Sequence, residues 1–403
     1  MQGILEGIRV VEWGIFHAGP GCAAILGDMG AEVIKFELPG RGDSTRAIPR
    51  YKNINFNIEG GKNLFFECVN RGKKSITIDL GHEEGRRIAY KIIEASDVFL
   101  TNLRPETVKE KKMDYEHLAQ VNPNLIYSLL TSHGSRGPDA DRGGFDYQAQ
   151  AKAGFMFSIG EPGDKPLLAQ FALFDQTASI VESYQIMIAL YMRERLGFGQ
   201  ELELSLLGTA SYVMYLNNIY ALLTGREIPR HEQATADPLR NYYKCKDGKW
   251  VIHTQPAREG TWQMVCDIMG LGHLARNPLY DNRDKRMDRS EELVKKFNVA
   301  FLTRPSYEWI QLFSEKDLVI SEINTSTEAV NSPQMLENDY IIDFNHPDLG
   351  EIRIPGFPIQ FSKTKINHNF IAPRLGEHTD GILKEICGLS DKEIAGLRDR
   401  KII

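Results

Sequence analysis

Throughout its first third the chain alternates short apolar runs with helical patterns, and that alternation restricts the folds open to it. Ile8-Arg9-Val10-Val11-Glu12 reads as a strand, Cys22 to Met29 as a helix, and Glu32-Val33-Ile34-Lys35-Phe36-Glu37 as a second strand. The same sequence of patterns returns with Ser75 to Leu80, a helix through Arg86 to Ala95, Asp97 to Thr101, and Leu125 to Leu130. Strands that alternate with helices call for an α/β fold, with a parallel sheet covered on both faces. Further on, a long helical pattern from Gln176 to Arg195 carries Ile180, Tyr184, Met187, Ile188 and Tyr191 at helical spacing, so that face is expected to be buried. Glu201 to Ser205 alternates like a strand with one wet face, and a second helical stretch runs from about Leu206 to Leu223.

The segment from Arg226 to Arg240 is polar and broken by Pro229 and Pro238, which marks a linker. Beyond it, Asn241 to Cys245 and Trp250 to His253 flank the turn Lys246-Asp247-Gly248-Lys249, a hairpin that opens a small, largely helical α+β domain. The chain turns β-like again from Asp343 and ends in a helix after Leu375-Gly376-Glu377-His378-Thr379. The expected domains are 1–205, a long helix and linker at 206–240, a small domain at 241–330, and 331–403 returning to the first. A chain of 403 residues accommodates two such cores. A net charge of −6 offers no basic field for nucleic acid, and no apolar run approaches the ~18 residues that span a bilayer. The opening residues lack a basic stretch followed by an apolar core, so the expectation is a cytoplasmic protein without a membrane partner. Five scattered cysteines without a CxxC pair indicate buried thiols, and ten singly placed histidines give no metal site.

Asp175 stands at the foot of the long helical pattern, where free N–H groups and the helix dipole favour an anion. The residues alone leave two roles open for it: an N-cap, or a nucleophile. Ala18-Gly19-Pro20-Gly21-Cys22-Ala23-Ala24 fits G-x-G-x-x-A after a strand, with Glu37 ending the next strand, as a dinucleotide site would require. Pro20 suits the first turn of a helix equally well. Asn70-Arg71-Gly72-Lys73-Lys74-Ser75 and Asn102-Leu103-Arg104-Pro105 place basic residues at strand ends, where α/β proteins bind phosphate-rich ligands.

Taken in order, several of these segments resemble the class III coenzyme A transferase family, of the formyl-CoA transferase and carnitine-CoA transferase type. The similarity runs through Leu5 to Glu12, Ala18-Gly19-Pro20, Gly30 to Glu37, both basic segments, Gly144-Phe145-Asp146-Tyr147 with Gln150, and Pro373 to Thr379. Asp175, 25 residues before the Gln200 of Gly197-Phe198-Gly199-Gln200, falls where that family carries its catalytic aspartate. The resemblance implies a Rossmann-like large domain, an interlocked homodimer or a pairing with a related subunit, and exchange of CoA between an acyl-CoA and a carboxylic acid. It implies no tightly bound cofactor, the CoA thioester being a substrate. Asp175 would form an anhydride and then an aspartyl-CoA thioester, with helix amides contributing roughly 3–4 kcal/mol per donor to the oxyanions. By the same resemblance His17, Ala18, Lys74, Asn102, Arg104 and Asp146 become candidates for CoA contacts.

Two departures refine that expectation. Related acyl-CoA racemases carry His directly before the acidic residue, whereas this chain has Phe145 there, which removes one acid/base partner. The glycine run of formyl-CoA transferases is absent from Ala234 to Tyr242, so a larger apolar, branched or aromatic acid is expected rather than formate or oxalate. Tyr147, Phe155, Phe157 and Phe171 supply aromatic bulk near the expected site. The competing readings are an acyl-CoA racemase or isomerase of the same fold, a non-catalytic CoA- or nucleotide-binding protein, and an NAD-dependent oxidoreductase relying on Gly19 and Gly21.

Overall fold

The computed structural model describes residues 3–51, 53–256, 258–364 and 366–403. It divides the chain into two units, one of Met1–Met156, Leu168–Arg226 and Asn338–Ile403, the other of Phe157–Leu167 and Glu227–Glu337. In the first unit the strands β1 (Arg9–Glu12), β2 (Glu32–Glu37), β3 (Lys74–Thr77), β4 (Val98–Thr101), β5 (Ile126–Thr131) and β6 (Gln200–Ser205) form one sheet. All neighbours are parallel, in the order β3-β2-β1-β4-β5-β6. The winding therefore reverses between β1 and β4, and the crevice beyond their C-terminal ends is the favoured ligand position in such sheets.

The helices used below are α1 (Ala18–Asp28), α2 (Glu83–Glu94), α3 (Asp146–Lys152), α4 (Leu173–Leu196), α5 (Leu206–Val213), α6 (Tyr215–Thr224), α7 (Thr379–Glu385) and α8 (Asp391–Asp399). Successive strand residues feed opposite cores because side chains alternate across a strand. Val11, Ile34, Phe99 and Tyr127 pack with Ile88 and Ile92 of α2, Ile382 of α7 and Ile394 of α8. Val10, Val33, Val98 and Ile126 pack instead with Cys22 and Leu26 of α1 and Ile186 and Ala189 of α4. Both faces of the sheet are thus covered, as the alternating sequence requires. The returning C-terminal segment docks on the edge strand β3, where His378 Nδ1 accepts from Ser75 N at 3.2 Å and Thr379 Oγ1 from Thr77 N at 3.0 Å. The Pro373 to Thr379 motif thereby covers part of an edge that would otherwise be open to pairing.

The second unit is built on the antiparallel strands β7 (Arg240–Lys244), β8 (Trp250–Thr254) and β9 (Ile320–Glu322). The β7–β8 hairpin pairs Tyr243 with Val251, as its turn residues predict. Its core gathers Trp262, Phe297, Phe301, Trp309 and Phe313 from the surrounding helices. The segment read as a linker is fastened within this unit, where Arg230 donates to the carbonyls of Phe157, at 2.8 Å, and Asp164, at 2.6 Å.

Two expectations are corrected. The stretch from Leu206 to Leu223 is two helices, α5 and α6, with Met214 as the cap between them. The face of α4 expected to be buried, carrying Ile180, Tyr184, Ile188 and Tyr191, is exposed, and only Met187 of that set packs against the core. The buried face carries Ala178, Ser179, Glu182, Ser183, Ile186 and Ala189. Close approach to α1 decides this: a Cβ at Gly21 would lie 2.5 Å from Ser179 Oγ, so small residues are required where the two helices touch at that point.

This packing buries Glu182 completely. Its Oε1 accepts from Ser128 Oγ at 2.9 Å, and burial pushes the carboxyl from 4.5 up to about 8. A folded pKa above the unfolded one means that stability falls as pH rises between those values. Glu182→Gln should therefore stabilise the protein by roughly 1–3 kcal/mol above pH 8. The advantage should disappear below pH 4 in urea titrations of the two proteins.

Candidate active site

At the C-terminal ends of β1, β4 and β5 lies a cavity of about 520 Å³, whose lining includes Phe16, His17, Ala18, Asn102, Arg104, Ser132, Phe145 and Asp175. It occupies the point where the strand order reverses. The turn after β1 enters it under constraint. Asn102, just beyond β4, clasps Ile15 from both sides, accepting from its N–H at 2.9 Å and donating to its carbonyl at 2.8 Å. Phe16 is held at φ 63°, a left-handed conformation that costs a phenylalanine on the order of 1–3 kcal/mol. His17 follows, its Nε2 2.8 Å from Gln176 Oε1 on α4. Burial is the largest influence on the imidazole and holds it below its ordinary value despite opposing contributions from Gln176 and Asp146, so the neutral ring can donate Nε2–H to that amide oxygen.

Asp175 is the third residue of α4 and does not cap it. Asp146, at the start of α3, takes that role from 29 residues away: its Oδ1 accepts from Phe174 N at 2.5 Å and Asp175 N at 3.3 Å. Gln150 braces Asp146 through a 2.5 Å bond to Oδ2, and is itself fixed by both backbone groups of Ala169, at 2.8 and 3.0 Å. The chain enters α4 through two left-handed residues, Phe171 and Ala172. Among the described residues the Asp175 carboxylate has no hydrogen-bond partner, and it lines the cavity. Burial, and secondarily the charge of Asp146, push it up to about 7. A carboxylate relieved of capping and poorly solvated is a stronger base and nucleophile than a surface aspartate. Of the first amides of this helix, which the resemblance offers to an oxyanion, those of Phe174 and Asp175 are already bonded to Asp146.

The candidates separate into three groups. His17, Ala18, Asn102, Arg104 and Asp175 meet at the cavity. Asp146 lies buried beside Asp175 without lining the cavity. Lys74 is outside the lining and pairs with Glu32. Its neighbour Lys73 is buried, bonded to Glu12 Oε2 and Pro20 O, each at 2.8 Å. The glycines of the dinucleotide-like motif are also occupied: Gly19 and Gly21 belong to α1, where added Cβ atoms would meet Asn102 and Ser179. None of Tyr147, Phe155, Phe157 and Phe171 lines the cavity. Its phenylalanines are Phe16 and Phe145; Phe145 is marked in the sequence only as the residue standing where racemases carry His, and neither Phe16 nor Gln176 stands out there as a site residue, because isolated positions carry no periodic signal.

Residues 5–379 match CoA-transferase family III. The chain belongs to that family. It is 30% identical to (R)-2-hydroxy-4-methylpentanoate CoA-transferase of Clostridioides difficile, over 99% of both chains. It is 32% identical to succinyl-CoA:glutarate CoA-transferase of Mus musculus, over 98% of this chain and 88% of that one. A CAIB/BAIF family protein from Brucella suis superposes with a TM-score of 0.85 and 27% identity, covering 96% of this chain and 100% of the other.

The protein is thus a family III CoA-transferase, for which a CoA thioester is a substrate. The geometry assigns Asp146 a separable contribution in this transferase. Asp146→Asn keeps an oxygen for the two amides and removes the charge, so Asp175 should titrate below about 7 with α4 intact. Asp146→Ala should in addition cost about 1 kcal/mol of stability. Carbon-detected NMR titration of the Asp175 carboxyl, with thermal melts, checks both outcomes.

Proposed function

We propose that the enzyme moves CoA from an acyl-CoA to an organic carboxylate through covalent intermediates on Asp175. The observation that carries this reading is the uncapped carboxylate of Asp175 facing the cavity. One carboxylate oxygen attacks the thioester carbonyl, the C–S bond breaks, and CoA leaves as thiolate from a mixed anhydride. The thiolate then attacks the Asp175 carbonyl carbon and releases the first acid, leaving an aspartyl-CoA thioester. A second carboxylate repeats the steps in reverse and regenerates ionised Asp175, so no external energy source is consumed. Covalent steps suit this exchange because direct attack of a carboxylate on a thioester would leave CoA and acid to be exchanged in a single difficult event. His17, Ala18, Asn102 and Arg104 would hold the thioester end and phosphates of CoA, with Asn102 acting through the turn that it clasps. Lys74 could reach a phosphate only by leaving Glu32. The acid is taken to be a larger apolar, branched or aromatic one, a reading supported by the two cavity phenylalanines and by the branched substrate named for the Clostridioides difficile relative.

The same reading includes a dimer. Ile180, Tyr184, Ile188 and Tyr191 of α4 and Tyr215, Leu216, Leu222 and Leu223 of α6 lie exposed, more apolar surface than a solitary soluble chain ordinarily leaves uncovered. A second copy is the proposed cover, and a related chain is the alternative suggested by a relative named as an alpha subunit. The five unpaired thiols favour a reducing, cytoplasmic setting.

Incubation with an acyl-CoA followed by hydroxylamine should leave a mass change on Asp175 of the wild type and none on Asp175→Ala. An unmodified Asp175 across a broad acyl-CoA panel would sink the mechanism. Because the ionised form attacks, kcat/KM should rise with pH through about 7 and lose about tenfold per unit below it. Sedimentation equilibrium should give twice the 45.6 kDa chain mass, and Tyr184→Glu combined with Leu222→Glu should reduce it to one chain.

A further inference from the structure

We propose that Phe16 and Phe145 together form the wall that selects the acyl group, favouring branched or aryl acyl chains over short ones; this rests on the reading of Asp175 as the acyl-accepting group. The two rings come from different loops, after β1 and before α3, and meet edge to face with centroids 5.5 Å apart and planes at 71°. Both line the cavity that Asp175 lines. Neither joins a hydrophobic cluster, and Phe145 is 59% exposed, so the pair contributes little to core burial.

Local geometry argues that the rings serve the cavity. Phe16 occupies a left-handed backbone conformation in which glycine would be relaxed, and a bulky side chain there needs a reason beyond stability. Phe145 follows Gly144, where an added Cβ would run into Ser132 Oγ, so the backbone lies close against the β5 end and brings Phe145 to the cavity. Phe145 also directly precedes Asp146, whose carboxylate fixes the Asp175 amide. The aromatic wall and the reacting carboxylate are therefore set by one short segment. An edge-to-face pair presents an apolar surface without a hydrogen-bonding group, which favours hydrocarbon bulk and offers nothing to a charged or hydroxylated end.

The test measures binding without chemistry. In Asp175→Ala, dissociation constants for isovaleryl-, phenylacetyl- and acetyl-CoA are taken by calorimetry, then repeated with Phe145→Ala or Phe16→Ala added. The preference for isovaleryl- and phenylacetyl- over acetyl-CoA should fall about tenfold in either double variant, and Phe145→Leu should retain most of it. An unchanged preference, or equal weakening for all three thioesters, overturns the proposal, the latter assigning the rings to the CoA arm. Circular dichroism and the Leu variant identify a double variant that has merely unfolded. Failure of Asp175 labelling in the wild type would count against the transfer mechanism and leave these affinity ratios to decide the wall by themselves.

Discussion

Glu12, at the end of β1, is completely buried between two lysines, and the architecture around the cavity hangs from that pairing. Its Oε1 lies 2.7 Å from Lys35 Nζ and its Oε2 2.8 Å from Lys73 Nζ. Each ammonium then holds a backbone carbonyl on either side of the cavity turn: Lys35 donates to Gly14 O at 2.9 Å, and Lys73 to Pro20 O at 2.8 Å. Asp43 adds a second carboxylate 3.1 Å from Lys35. Although burial opposes its charge, Lys35 is held above its ordinary range by Glu12, Asp43 and Glu37. Burial pulls Lys73 down to about 8, with the charge of Lys35 acting in the same direction and Glu12 against it. Buried charges of this kind contribute little net stability, yet removing one partner costs about 3–5 kcal/mol because the other is left desolvated. What the network supplies is position: it fixes both ends of the turn that presents Phe16 and His17.

The second constraint is the exchange of capping roles at α4. A helix start needs acceptors for its first amides, and an aspartate three residues inside could have served. Asp146 supplies the acceptor from another loop, so Asp175 keeps its carboxylate for the cavity. The same carboxylate adds to the burial that raises Asp175. One residue therefore satisfies the backbone and adjusts the basicity of its neighbour, and strain at Phe171 and Ala172 accompanies the arrangement.

Some of this is legible in the sequence. The β-strands with their intervening helices followed from periodicity, because a doubly covered parallel sheet leaves continuous apolar runs such as Val98 to Leu100. Order along the chain, rather than any one motif, carried the resemblance to the transferases. Helix faces were read less well. Spacing locates an apolar stripe on α4 but does not tell a face turned to the core from a face left exposed, and the packed side is the one that carries Ala178, Ser179, Ser183 and Ala189. The basic run Asn70 to Ser75 points to a phosphate-rich ligand with Lys74 as the candidate contact, and spacing does not show that Lys73 turns inward to Glu12 or that Lys74 pairs with Glu32.

By itself, then, the sequence determined the α/β class and the family, and singled out Asp175 as the candidate nucleophile, since these are written in local periodicity and in the order of short motifs. Tertiary structure decided which carboxylate caps α4, which lysines are structural and which aromatic rings reach the cavity. Each of those outcomes depends on groups far apart in the chain, Asp146 with Asp175, Glu12 with Lys73, Phe16 with Phe145. Hydrogen bonds, desolvation and ring contacts act over a few ångströms of space, and no spacing along a sequence records which distant groups will come that close.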